Sequence, residues 1–181
     1  MKGLIFTEFL EMVESRFGLE TLDKVLYSGE LKSDGVYTAV GTYDHAELVE
    51  LVKRLGHITR TPEPELLRDF GIYLFGVFAR NYSELFGRIR SSLDFFENID
   101  RYIHVEVAKL YPDAELPRFS FDRVSENQIV MLYESERRMG DFAVGLMLGC
   151  AAYFNETITV QQEDLSNGDG SRIKFTVTRV S

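Results

Sequence analysis

The hydrophobic and polar positions follow a helical period over the first two-thirds of the chain. Apolar residues at helical spacing begin almost at Met1 and predict a first helix that stops at Gly18. A short second helix is predicted in LETLDKVLYS, and Asp44 is placed to cap a third over AELVELVKRLG. A long fourth helix follows Pro62 and Pro64, which favour a helix start. This part of the chain is therefore predicted to be almost entirely helical.

The pattern changes after two further predicted helices, SELFGRIRSSLDFFENI and DRYIHVEVAKLY, the second closed by Pro112. Apolar and polar residues then alternate in RFSFDRV and QIVMLYESE around a Ser-Glu-Asn turn, and again in ETITVQQEDL and SRIKFTVTRV around SNGDG. The apolar segment FAVGLMLGCAAYF between these hairpins predicts a helix. The chain is thus predicted to be α+β, with a helical N-terminal part followed by a four-stranded antiparallel sheet with an inserted helix.

Composition is ordinary for a globular protein except in its aromatic residues. The 181 residues are 45% hydrophobic and 27% charged, which favours one domain. They include 14 Phe and 9 Tyr but no Trp. These rings could form a core, or line a pocket for a large flat apolar ligand. Composition alone leaves both interpretations open.

Charge and cysteine content exclude several classes of function. A net charge of −9 argues against binding to nucleic acid and to an anionic membrane surface. The single cysteine, Cys150, excludes an intramolecular disulfide, a multi-cysteine zinc site and a Cys-x-x-Cys-His cofactor attachment. No apolar run is long enough to span a bilayer, and the N-terminus lacks the apolar core of a signal peptide. The sequence therefore predicts a cytoplasmic protein.

Among the three histidines, His104 has the most unusual setting. It is predicted to lie mid-helix among apolar residues, whereas His45 and His57 are predicted to be structural or solvated. A histidine in such a position can be a satisfied core residue. It can also be the single axial ligand of a metal held in a cofactor, because imidazole is a common proximal haem ligand.

The segment YESER carries three hydrogen-bond donors at alternate positions. If the strand extends to Arg137, then Tyr133, Ser135 and Arg137 project from one face. A guanidinium fork binds a carboxylate bidentately, and a phenol and a hydroxyl can complete the contact. The motif predicts an anion site, although an exposed polar strand face would have the same sequence.

Several of these features occur together in one known family. The MKGLIF start, the mid-helix His104, Pro117 shortly after it, the Y-x-S-x-R motif and the glycine-rich apolar helix resemble the H-NOX family. These are haem nitric oxide/oxygen binding domains, related to the haem domain of soluble guanylate cyclase. The resemblance covers essentially the whole chain. It implies one domain over 1–181, with an N-terminal helical subdomain over about 1–60 and a proximal haem-binding subdomain over about 61–181.

The resemblance implies a non-covalent haem b, iron protoporphyrin IX, buried between the helices and the sheet. His104 would be the proximal iron ligand, and Pro117 would press on the porphyrin and distort it from planarity. The three residues of the motif, Tyr133, Ser135 and Arg137, would clamp the two haem propionates. The implied anion is therefore part of the cofactor itself.

Further haem contacts are implied on the distal side and around it. They are assigned to Met1, Ile5, Leu74, Phe142, Gly145, Leu146 and Gly149. In oxygen-binding relatives a distal tyrosine donates a hydrogen bond to O2, but the matching residue here is Phe142, and the neighbouring Leu74 and Phe75 also lack donors. An apolar distal pocket favours NO over O2. The orientation of Tyr73 is left open by the sequence.

The implied function is gas sensing rather than enzymatic catalysis. Binding of NO, or of CO, to ferrous haem would release His104 and shift its helix and the N-terminal helix relative to the sheet. The signal is expected to pass to a separate protein, which for stand-alone bacterial relatives is a histidine kinase or a cyclic-di-GMP synthase or phosphodiesterase. Two alternatives stay open. One is an O2-binding or NO-detoxifying haem protein, and the other is a helical interaction module without a cofactor.

Overall fold

The computed structural model of the chain describes residues 1–87 and 89–180, without the side chains of Leu85, Tyr102 and Leu110. Within these ranges the helices are α1 Gly3–Phe17, α2 Leu19–Tyr27, α3 His45–Thr59, α4 Glu63–Asn81, α5 Ser92–Glu97, α6 His104–Leu110 and α7 Gly140–Tyr153. The strands are β1 Arg118–Ser125, β2 Gln128–Glu134, β3 Ile158–Asp164 and β4 Arg172–Arg179. No helix in the described part of the chain combines the length and the apolarity that crossing a bilayer requires.

The predicted N-terminal helices form where the apolar periodicity places them. The side chain of Asp44 caps α3 by accepting a hydrogen bond from the Ala46 backbone N–H at 3.0 Å. Pro64 lies in the first turn of α4, where a missing backbone N–H costs nothing. The apolar faces of the first four helices bury a common core that includes Phe6, Leu51 and Phe70.

The predicted hairpins form a single four-stranded antiparallel sheet in the order β1-β2-β4-β3. Alternate residues of the two central strands are buried on the same face: Ile129, Met131, Tyr133, Ile173, Phe175 and Val177. This face and helix α7 pack into a second core. The α+β prediction, with the inserted helix between the hairpins, is therefore confirmed.

The two cores meet along helix α4. Phe70 and Leu74 belong to the first core, whereas Phe75 and Ala79 belong to the second. One long helix therefore contributes to both halves of the molecule. The division into subdomains at about residue 60 stays a prediction, since α4 packs on both sides.

The predicted continuous helix from Ser83 to Ile99 is wrong, and Arg88 within it lies outside the described residues. A 3₁₀ turn, Ser83–Phe86, is followed by a new start at α5. The Ser91 side chain caps α5 by accepting from the Asp94 N–H at 3.1 Å. Glu156 accepts a bond from the Ser92 N–H at 2.9 Å. Capping and a long-range carboxylate therefore override the local helical pattern.

Helices α4 and α7 cross at glycines. A Cβ atom on Gly145 would lie 2.1 Å from the carbonyl oxygen of Arg68, and one on Gly71 would lie 2.4 Å from that of Phe142. These distances are far shorter than van der Waals contact. Backbone therefore packs directly on backbone at this crossing, and a salt bridge of 2.7 Å from Arg68 to Asp141 spans the same pair of helices.

We expect Gly145→Ala to lower the free energy of unfolding by about 1–3 kcal/mol, because the added methyl overpacks the crossing. The matched control is Gly76→Ala, also inside a helix, whose new Cβ would meet only the Arg80 side chain at 3.5 Å. That variant should gain up to about 1 kcal/mol from helix propensity. Denaturant unfolding of both proteins measures the difference, and equal stabilisation of the two would contradict the close crossing.

Candidate functional site

A cavity of about 510 Å³ lies between the helices and the sheet. This volume falls in the range of ligand pockets, which are roughly 300–1,000 Å³. Most of its wall is apolar or aromatic, with contributions from Ile5, Leu74, Phe75, Phe78, Phe95, Phe96, Phe142 and Leu146. Polar residues line it as well, among them His45, His104, Tyr133, Ser135 and Arg137. Such a wall suits a large apolar ligand that also carries anionic groups.

His104 lies at the junction of two kinds of helix rather than mid-helix. The preceding turn, Ile99–Ile103, is π-helical, and the His104 backbone N–H donates to the Ile99 carbonyl oxygen. Residues His104–Leu110 then continue as the α-helix α6, which is followed by the C-cap residue Tyr111 and ends before Pro112 as predicted. Single π-helical turns occur frequently at functional sites, where they reposition a side chain.

The imidazole of His104 is oriented by a carboxylate. Its Nδ1 atom lies 2.7 Å from Oδ1 of Asp100, which leaves Nε2 available to a ligand, and the side chain is 18% exposed. Burial lowers the pKa of the His104 imidazole, against the opposing effect of Asp100. Lowering this pKa favours the neutral form, which is the form that ligates metals.

The described residues contain no group of three or more His, Cys, Asp or Glu that could hold a metal ion. His104 alone could supply one bond to a metal, but not a complete coordination shell. His45 also lines the cavity, but its side chain is 41% exposed, against 18% for His104. One largely buried histidine in a mostly apolar cavity fits a metal whose other ligands come from a flat macrocycle. The chemistry of the cavity therefore fits haem.

The Y-x-S-x-R motif is not an extended strand face, and the predicted strand in QIVMLYESE is two residues too long. Strand β2 ends at Glu134. Ser135 Oγ then accepts from the Arg137 N–H at 3.2 Å, and the Ser135 carbonyl accepts from the Arg138 N–H at 3.3 Å. A serine that bonds to the backbone two residues ahead favours a turn over a strand. The turn still brings Tyr133, Ser135 and Arg137 to the cavity wall.

Tyr133 is the anchored member of the motif. Its side chain is buried on the core face of β2, and its hydroxyl oxygen accepts from the Met139 N–H at 3.3 Å. Burial raises the pKa of the Tyr133 phenol, so its proton stays available for donation to an anion.

Arg137 has a weak partner in the protein. Among the described residues, Glu115 is the carboxylate within 4.0 Å of its guanidinium, at 3.4 Å, and the Glu115 side chain is 88% exposed. Exposed ion pairs contribute little, typically less than about 1 kcal/mol. The guanidinium of Arg137, whose side chain is only 19% exposed, can therefore exchange this partner for a carboxylate of a bound ligand.

Ten of the twelve residues predicted to contact a cofactor line the cavity. They are Met1, Ile5, Leu74, His104, Pro117, Tyr133, Ser135, Arg137, Phe142 and Leu146. The other two, Gly145 and Gly149, do not. A Cβ atom on Gly149 would meet the Phe75 side chain at 2.8 Å, and that on Gly145 would meet the backbone of α4. Both glycines therefore permit helix packing instead of close approach by a flat ring.

Three tyrosines lie on or near the wall of the cavity. Tyr73 does not line the cavity. It packs against the first core, where burial and the carboxylates of Glu8 and Glu11 raise the pKa of its phenol. Tyr82 and Tyr111 do line the cavity, and burial together with Tyr111 raises the pKa of Tyr82. Neither residue could be predicted from the periodicity, because both lie at helix ends, where periodicity carries no information on side-chain direction.

The fold and the cavity define a domain with room for a ligand between helices and an antiparallel sheet. The chain belongs to the haem-NO-binding family, since the family model described as Haem-NO-binding matches residues 2–162. This confirms the family predicted from the sequence. Domains of this family bind haem, and they are related to soluble guanylate cyclase.

Solved structures of H-NOX proteins superimpose on nearly the whole chain. The Fe(II) unliganded H-NOX protein from K. algicida is 38% identical, with a TM-score of 0.94, and covers 100% of this chain and 97% of that one. The IWP-051-bound H-NOX from Shewanella woodyi in the Fe(II)CO state is 43% identical, with a TM-score of 0.84 over 99% and 95% of the chains. An H-NOX protein from S. oneidensis in the Fe(II)NO state is 26% identical, with a TM-score of 0.90 over 100% of both.

Curated relatives include a much longer protein. Soluble guanylate cyclase 89Da of Drosophila melanogaster is 26% identical over 190 residues, which cover 97% of this chain. The chain spans about a quarter of the length of that relative, 27%. The similarity is therefore to one part of the cyclase.

Proposed function

We propose that this protein is a nitric oxide sensor that holds haem b non-covalently through His104. The observation that carries the proposal is the cavity itself: the largely buried His104, a carboxylate-binding motif and a helical wall without hydrogen-bond donors at Ile5, Leu74 and Phe142. Haem would supply a ferrous iron that binds diatomic gases. The chain's own residues would hold it, exclude water and respond to the gas.

The polar residues of the cavity would hold the cofactor in one orientation. Arg137 would bind a propionate with its guanidinium fork, and the hydroxyls of Tyr133 and Ser135 would complete the contact. Pro117, partly buried directly before β1, would press on the porphyrin from a rigid position because its ring fixes the backbone. These roles are the ones that the resemblance to the H-NOX family implies.

The apolar wall supports a preference for NO. Bound O2 carries considerable negative charge and gains from a hydrogen-bond donor, whereas NO depends on one much less. Phe142 and Leu146 of α7 and Leu74 of α4 offer no donor, and Tyr73 lies outside the cavity wall. The same wall would accept CO.

Release of His104 would convert gas binding into movement. His104 is the first residue of α6, so its departure from the iron would free this helix to shift relative to the sheet. A separate partner would read the new conformation, and we propose a histidine kinase or a cyclic-di-GMP enzyme. Autophosphorylation of a candidate kinase, measured with the gas-free and the NO-bound protein, tests this, and equal rates would contradict it.

The first experiment is an absorption spectrum of the purified protein, reduced without air and then exposed separately to air and to NO. The proposal is supported if the haem spectrum does not change in air, but changes on addition of NO to the spectrum of a complex that lacks the histidine ligand. A stable O2 complex would make the protein an oxygen binder. Rapid nitrate formation from NO and O2 would make it an enzyme, and absence of haem would leave His104 a structural residue.

We expect Phe142→Tyr to raise O2 affinity, because it adds a hydrogen-bond donor at a position of the helical wall that has none. A neutral hydrogen bond contributes about 0.5–1.5 kcal/mol, so the gain should be roughly three- to ten-fold. The matched control is Phe142→Leu, which changes the size of the side chain but adds no donor. Oxygen titration of the ferrous proteins measures the effect, and an equal gain in both variants would show that space, rather than hydrogen bonding, limits O2 binding.

A further inference from the structure

Asp100 connects His104 to the sheet through two hydrogen bonds. Its Oδ1 atom lies 2.7 Å from Nδ1 of His104, and its Oδ2 atom accepts from the Phe119 backbone N–H at 3.0 Å. Both carboxylate oxygens are thus used, one by the imidazole and one by strand β1. The Phe119 ring in turn lies 6.1 Å from the His104 ring, centroid to centroid.

The spacing of the two residues makes this contact possible. Asp100 precedes His104 by four residues, a separation that places two side chains next to each other along a helix. It belongs to the π-helical turn Ile99–Ile103, whose last backbone bond ends on the His104 N–H. The same turn therefore positions the histidine and carries the carboxylate that orients it.

We propose that Asp100 is a positioning residue for the haem ligand and sets how readily gas binding releases His104. This inference rests on the proposed function, because it takes His104 to be the iron ligand. An acceptor on Nδ1 fixes the tautomer and the ring orientation, and it makes Nε2 a stronger ligand. Asp100 thereby opposes release, while its bond to Phe119 ties the ligand to β1.

The test compares Asp100→Asn with Glu106→Gln. Asn keeps the shape of the side chain but cannot accept on both sides, since one of its two polar atoms is a donor. Glu106→Gln removes the same charge two residues beyond His104, from a side chain that pairs with Lys109 at 2.6 Å. In the ferrous proteins, the iron–histidine stretching band of Asp100→Asn should move to lower frequency, and that of Glu106→Gln should stay in place.

Two further measurements follow from a weaker histidine bond. Haem transfer to excess apomyoglobin should be about ten-fold faster in Asp100→Asn, since loss of an outer partner of a metal ligand typically costs 10- to 100-fold in affinity. A larger share of the protein should also lose the histidine ligand on exposure to NO. If Asp100→Asn retains too little haem, then Asp100→Glu, which keeps the carboxylate, should restore binding and a band close to the wild-type frequency.

The outcomes separate this inference from the proposed function. A wild-type band that stays unchanged in Asp100→Asn, or an Asp100→Glu protein as poor as Asp100→Asn, would overturn the role of Asp100 alone. A wild-type protein without haem, or an iron–histidine band that survives His104→Ala, would overturn the proposed function instead.

Discussion

Replacing His104 by alanine is expected to abolish haem retention, and added imidazole is expected to restore it. The side chain lines the cavity, and its Nδ1 is bound to Asp100 while Nε2 remains available. Alanine leaves room for a free imidazole to take the position of the lost ring. The measurement is the Soret absorbance of the purified variant after reconstitution, with and without imidazole.

The matched control is His57→Ala, which removes an exposed histidine from the last turn of α3. It should retain haem like the wild type. An unchanged Soret spectrum in His104→Ala without imidazole would remove His104 from the ligand role. Loss of haem in both variants would point to a general loss of folding, which circular dichroism would reveal.

Several residues of the candidate site could be predicted because they are tied to local patterns. Tyr133 follows from the alternation of β2, and α7 follows from an uninterrupted apolar segment. The strand end could not be predicted from alternation, because Ser135 bonds to the backbone N–H of Arg137 and starts a turn. The motif still reaches the cavity, since the turn keeps all three side chains on its wall.

Interactions between distant segments account for what the sequence did not show. Asp100 could have been found from its four-residue spacing to His104, but its second bond, to Phe119, depends on how β1 packs. The restart of α5 depends on Glu156, which is 64 residues further along the chain. Such contacts leave no periodic signal in a single sequence.

The glycines of α7 show that residues on one helix face can contact different neighbours. Phe142 and Gly145 share a helix face by spacing, and the resemblance implies that both contact the haem. In the structure, Phe142 lines the cavity, whereas Gly145 packs against the backbone of α4. Spacing defines a stripe on a helix, but it does not tell which of two adjacent neighbours the stripe contacts.

Replacing Arg137 by alanine is expected to speed the loss of haem by about ten- to one-hundred-fold. A hydrogen bond to a charged group contributes roughly 1.5–3 kcal/mol, and each 1.4 kcal/mol is about a factor of ten. Among the described carboxylates, the Arg137 guanidinium pairs only with that of the exposed Glu115, at 3.4 Å. Removal of the Arg137 side chain should therefore change the stability of the folded chain little, but weaken the binding of the cofactor strongly. Haem transfer to excess apomyoglobin measures the rate.

Two variants sharpen the test of this contact. Arg138→Ala removes the neighbouring charge. The Arg138 side chain is 59% exposed and pairs with Asp169 at 2.8 Å. This variant should lose haem at the wild-type rate. Arg137→Lys keeps the charge without the fork and should be intermediate, because an ammonium cannot bind a carboxylate bidentately. Equal rates for Arg137→Ala and Arg138→Ala would mean that net charge near the pocket, and not a contact of Arg137 with a propionate, governs retention. A lysine variant as slow as the wild type would confine the contribution of Arg137 to its charge.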